Sequence, residues 1–155
     1  MRLYTRTKLG RQVPMQRLVP LSFLLLFGVF AGCTSYDTHV ARGLTLTGVQ
    51  RFFVLSNPND GHAIDHQIAA ALTTRGFQAE SGPLTMMPEE TQAIVTYQDH
   101  WTWDFGDHLV YLQVAVRDQK TNQSYASVEF SAKVPTSKPL ADIVDNLVGR
   151  LLSKP

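Results

Sequence analysis

With 155 residues and one Cys, the chain is long enough for one modest domain with a real core and cannot form an internal disulfide. Its net charge of +1 is unevenly spread: Arg2, Arg6, Lys8, Arg11 and Arg17 come first with no acid among them, leaving nine Lys and Arg against 13 Asp and Glu, a balance of −4, from residue 33 onward. That balance argues against a nucleic-acid partner, because phosphate binding wants a basic footprint.

The basic start leads into an apolar run, Leu18–Ala31, of 14 residues containing Pro20 and Gly28. A membrane-spanning helix needs roughly 20 apolar residues, so the run fits the apolar core of a signal peptide better. Met1 and Met15 both give a basic leader, and the start stays open between them.

Phe30-Ala31-Gly32-Cys33 resembles the bacterial lipobox, with Phe30 where Leu is usual. The resemblance implies a diacylglyceryl group on the Cys33 sulfur, a cut just before Cys33 and acylation of the new amine. Small residues suit a narrow protease cleft, and only a thiol can carry the thioether. Anchoring becomes stable once more than one acyl chain inserts, so the membrane is the expected partner, through lipid on Cys33. Thr34 and Ser35 follow the cysteine where an Asp would imply inner-membrane retention, so the expected location is the outer membrane, with the domain facing the periplasm. The expected organisation is a signal peptide over residues 1–32, a lipidated tether over 33–47, and one domain over 48–155.

Thr34–Thr47 is polar and holds no period for long, which reads as a tether. Gln50–Leu55 is β-prone. The turn Ser56–Gly61 follows, with Asp60 or Asn59 placed to cap a helix. Ile64, Ile68 and Leu72 put one apolar stripe on His62–Thr74, and Gly76 is placed for a left-handed cap. Phe77–Ala79 opens a short strand, and Ser81–Pro88 reads as a loop.

Ala93–Trp103 alternates, with Ala93, Val95, Tyr97, Trp101 and Trp103 on one face and Asp99 breaking it as a bulge, a strand end or a buried hydrogen bond. Asp104–Asp107 reads as a hairpin turn. In Leu109–Arg117, Val110, Leu112, Val114 and Val116 share a face. Tyr125–Val134 alternates cleanly after the turn Asp118–Ser124, a meander with one buried face. The last helix carries Leu140, Ile143, Val144, Leu147, Val148, Leu151 and Leu152 at a 3.6 period, with Ser137 as N-cap and Pro139 in its first turn. The expected fold is α+β: an antiparallel-rich sheet in the order β-α-β-β-β-β-α, with two helices packed on one face.

Arg51–Val54, Thr74–Phe77, Ala93–Tyr97, Trp101–Asp104 and Val116–Asn122 carry a resemblance, from about Gly48 to Leu152, to the small bacterial lipoproteins grouped as DUF4136-like. The resemblance implies this fold and an envelope location more than any activity.

For chemistry, His62 and His66 stand four apart beside Asp65. A zinc site needs three or four ligands and no third carries motif spacing, so no metal is expected. There is no GxSxG elbow, phosphate loop or HExxH, so neither enzyme activity nor a cofactor is expected. The leading expectation is an envelope interaction or structural module with a protein partner. A glycan- or small-molecule-binding module is the alternative, using Trp101 and Trp103 with Asp99 and Asp104. A hydrolase built on Asp99, Asp104 and Asp107 is the third. Core packing beneath a helix is the simpler role for both tryptophans.

Overall fold

The computed structural model describes residues 34–41, 46–103, 105–134 and 136–153. The leader over 1–32, Cys33 and Asp104 lie outside the described residues.

The strands are β1 (Thr34–Val40), β2 (Arg51–Leu55), β3 (Gln78–Gly82), β4 (Ala93–Trp103), β5 (Asp107–Asp118) and β6 (Ser124–Ala132). Among the described residues the α-helices are α1 (Ile64–Thr74), between β2 and β3, and α2 (Leu140–Leu152), after β6. The six strands form one sheet in the order β1-β6-β5-β4-β2-β3. β4, β5, β6 and β1 run antiparallel in turn, while β2 runs parallel to both β3 and β4.

The sheet is therefore mixed, where an antiparallel-rich one was expected. The cause is α1. A strand that reaches its neighbour through a helix returns in the same direction, so β2, α1 and β3 form a parallel crossover. The connection from β3 then carries the chain to the far side of β2, where β4 pairs in parallel as well.

The second correction is β1. Thr34–Val40, read as tether, is an edge strand paired along its whole length with β6, from Thr34 opposite Ala132 to Val40 opposite Ala126. Its inner positions are Thr34, Tyr36 and Thr38, half-buried, while Ser35, Asp37 and His39 are exposed. Only one of its inner residues is a large hydrophobe, so the alternation carries little apolar signal. Tyr36 holds the strand down: its ring meets Phe130 at 5.2 Å between centroids, and the Arg150 guanidinium sits over it at 4.8 Å.

Both helices lie on one face, as expected. α1 packs on β2 and β3, α2 on β6, β5 and β1, and the two helices on each other. Val54, Val95, Val116 and Ala126 form one buried row beneath them, and Tyr97, Val114 and Val128 another. Ile64, Ile68, Leu72, Ile143, Leu147 and Leu151 close the core from above.

The helix ends show how local chemistry fixes these elements. Asp60 accepts from the backbone N–H of His62 at 2.7 Å and of Ile64 at 2.6 Å, so it caps α1 from outside the helix. Gly76, at φ 89°, lets Phe77 N–H reach Leu72 O and its own N–H reach Thr73 O, a Schellman closure. Phe77 then packs edge-on against Phe52 at 5.2 Å. Ser137 does not cap α2. Pro139 takes that position, and no side chain bonds to the helix start there.

Candidate functional site

The candidate residues gather where β2 and β4 end and the β4–β5 hairpin begins. Parallel β2 hands the chain to the loop 56–63 at its carboxyl end. There β2 has β3 on one side and β4 on the other, the kind of switch point where open sheets form crevices.

Tyr97 locks this loop. Its hydroxyl donates to Asp60 at 2.8 Å and accepts from Asn57 N–H at 3.1 Å. Asp60 thus receives three donors. Burial alone would raise its carboxyl pKa, but the His62 N–H, the Tyr97 hydroxyl and the Ile64 N–H together hold it below the ordinary value. Burial pushes the Tyr97 hydroxyl up, opposed by the Asn57 N–H and reinforced by Asp60. Nearby, Ser56 Oγ donates to the buried Asp65 carboxylate. Sequence reasoning found Asp60 as a cap but missed its bond to Tyr97, because the two residues are brought together only by the parallel pairing of β2 with β4.

The loop aims His62 at β4. Its imidazole lies flat on the Trp101 indole, centroids 3.6 Å apart and planes at 11°. Trp101 Nε1–H donates to Asp99 Oδ2 at 2.7 Å. Asp99 is thus a local hydrogen-bond partner beside a bulge. His100 pairs with Tyr111 and Trp101 with Leu109, leaving Val110 as the extra residue. The bulge moves Leu109 onto the buried face in place of Val110, which was expected there.

Trp101 and Trp103 part company. Trp101 is half-buried against the core, whereas Trp103 is 74% exposed and does not pack beneath a helix. Phe105, at the hairpin tip, is 97% exposed, and its ring stands 6.3 Å from that of Trp103. Phe105 has φ 52°, a left-handed conformation that costs a non-glycine residue about 1–2 kcal/mol. Two large apolar rings are held outward on a strained turn.

His62 and His66 engage different neighbours, Trp101 on β4 and Ser81 on β3. Among the described residues no group of three or more His, Cys, Asp or Glu is placed to hold a metal ion. Asp99 and Asp107 stand four ladder positions apart, roughly 13 Å along the strands. His62 Nε2 is 3.7 Å from Asp107 Oδ2. A cleft of about 380 Å³ lined by Thr47, Glu89, Glu90, Asp118, Lys120 and Tyr125 lies at the opposite end of the sheet. Among the described residues no helix is long and apolar enough to cross a membrane.

The sequence matches no protein-family model and no curated protein. Solved structures do match. A PelC dodecamer from Paraburkholderia phytofirmans is 12% identical with a TM-score of 0.55, covering 78% of this chain and 96% of that one. A single-substitution variant of the same dodecamer is 14% identical with a TM-score of 0.55, covering 78% and 95%. The likeness is one of fold. A minor lipoprotein from Acinetobacter baumannii is 11% identical with a TM-score of 0.38, covering 67% of this chain and 91% of that one. At that similarity it bears on neither fold nor function.

Proposed function

We propose that this chain is a lipoprotein of the bacterial outer membrane, anchored by acyl groups on Cys33, whose periplasmic domain acts by binding and assembly in the envelope and not by catalysis. The observation that carries the reading is the place of the motif relative to the domain. The lipobox-like motif sets a cut before Cys33, and the next residue, Thr34, already pairs with Ala132 in the sheet, so an acyl anchor on Cys33 would stand at the edge of a folded domain.

Two further points support it. Thr34 and Ser35 after the cysteine fit sorting to the outer membrane by analogy with other lipoproteins. The two PelC structures are dodecamers, so association of copies is the form of interaction put first. Growth with labelled palmitate tests the anchor: the label should enter the wild type and not Cys33→Ser, and label persisting on the variant would defeat it.

A glycan- or small-molecule-binding role is the second reading, favoured by the exposed Trp103 indole. Trp101 contributes less to such a surface, since His62 covers one of its faces and Asp99 takes its N–H. Titration with soluble glycan fragments checks this reading: it requires saturable quenching that disappears in Trp103→Phe.

A further inference from the structure

Three features meet at one end of the sheet. The register sets Thr34 opposite Ala132 and Ser131 opposite Tyr111, so the start of β1 and the end of β6 are level. From Tyr111, β5 runs back to Asp107, which pairs with Trp103. At about 3.4 Å per residue, the hairpin reaches roughly 10 Å past the level of Thr34. The exposed rings of Trp103 and Phe105 are at its tip.

Cys33 is joined to Thr34 by one peptide, and consecutive Cα atoms are about 3.8 Å apart. Acyl chains on Cys33 leave no leash between bilayer and sheet, because the tether expected there is β1. The end of the domain that carries Thr34 must then face the membrane, and the hairpin projects from that same end. Its reach matches the depth of about 5–10 Å at which interfacial apolar faces enter the headgroup boundary. An indole suits that zone, with an apolar body and an N–H for the headgroups. Exposed Lys133 and Val134 follow β6 at this end, and Lys138 Nζ lies 3.5 Å from Thr34 Oγ1. Lysines beside a bilayer are attracted to anionic lipid. Asp107, a carboxylate at the tip, is near the His62 imidazole.

We infer that the β4–β5 hairpin tip, Trp103 with Phe105, is a second membrane contact that enters the headgroup layer of the bilayer holding Cys33 and fixes the domain end-on. This rests on the lipid-anchor reading, and the test separates the two. Trp101 and Trp103 are the two tryptophans of the chain, so subtracting the emission of Trp103→Phe from wild type isolates Trp103.

The full protein, purified from palmitate-labelled cells, is placed in phosphatidylethanolamine–phosphatidylglycerol vesicles carrying a nitroxide near the headgroup or at the acyl end. The shallow nitroxide should remove most of the Trp103 emission and the deep one little. Palmitate label with an unquenched Trp103 overturns the inference and leaves the anchor standing. Quenching in a protein that carries no label upholds the tip contact and defeats the anchor. A Trp103 shielded from iodide but untouched by either nitroxide is covered by a second copy or a glycan, which also overturns it.

Discussion

The imidazole of His62 lies flat on the indole of Trp101, 3.6 Å between centroids, and so ties the loop after β2 to the base of the exposed hairpin. Stacked ring pairs contribute about 0.5–1.5 kcal/mol beyond area burial. A double-mutant cycle of His62→Ala with Trp101→Leu should return a coupling of about 1 kcal/mol in urea unfolding. Additive single effects would mean that the contact carries no net energy.

Tyr97 and Asp60 make the same loop pH-sensitive. Tyr97→Phe leaves the Asn57 N–H without its acceptor and should cost about 1–3 kcal/mol in stability. The Asp60 pKa is lowered from 3.8 on folding, so its contribution is full above that pH and fades as pH falls through the lower folded value. Asp118 acts in the same direction: the Thr121 N–H, the Tyr125 hydroxyl and the Thr121 hydroxyl bring its pKa down to about 2. Acid unfolding followed by circular dichroism should therefore steepen below pH 4, and Asp60→Asn should flatten that limb. Tyr97 shifts the other way. Its raised value means stability is full below its ordinary 10.0 and declines as pH rises past it, a decline that Tyr97→Phe should weaken.

Arg75 joins the helices. Its guanidinium donates to Asp145 Oδ1 at 2.7 Å, to Asp145 O at 2.9 Å and to Ala71 O at 2.9 Å. The Asp145 side chain is 60% exposed, so solvent screens the charge pairing and much of the value lies in the carbonyl contacts. Arg75→Ala should lower stability by about 1–2 kcal/mol, with Asp145→Asn costing less. Equal losses in thermal melts would place the energy in the ion pair instead.

Tyr36 tests the edge strand. Tyr36→Ala removes the packing on Phe130 and the cation contact with Arg150, a loss of about 2 kcal/mol. Hydrogen exchange should show β1 amides losing protection first, ahead of β5. Unchanged protection in β1 would mean that the backbone ladder to β6 suffices without the ring.

The elements with strong apolar periods were legible in the sequence. α2 runs Leu140–Leu152 and β4 runs Ala93–Trp103, as their spacing predicts, and the clustering of both helices on one face followed from their stripes. The parallel pairing of β2 was not legible, since period shows which face is buried but not the direction of a neighbour. β1 escaped because Thr34, Tyr36 and Thr38 look polar in sequence and become an inner face only when β6 lies beside them. Asp99 was visible as an anomaly, and its hydrogen bond to Trp101 explains it. The exposure of Trp103 was not visible, because alternation continues past the point where the helices stop covering the sheet.

The intact mass of the protein extracted from outer-membrane fractions bears most directly on the anchored-domain reading. It should correspond to residues 33–155 plus a diacylglyceryl group and one amide-linked acyl chain. A chain beginning elsewhere, or one with an unmodified Cys33, would contradict it.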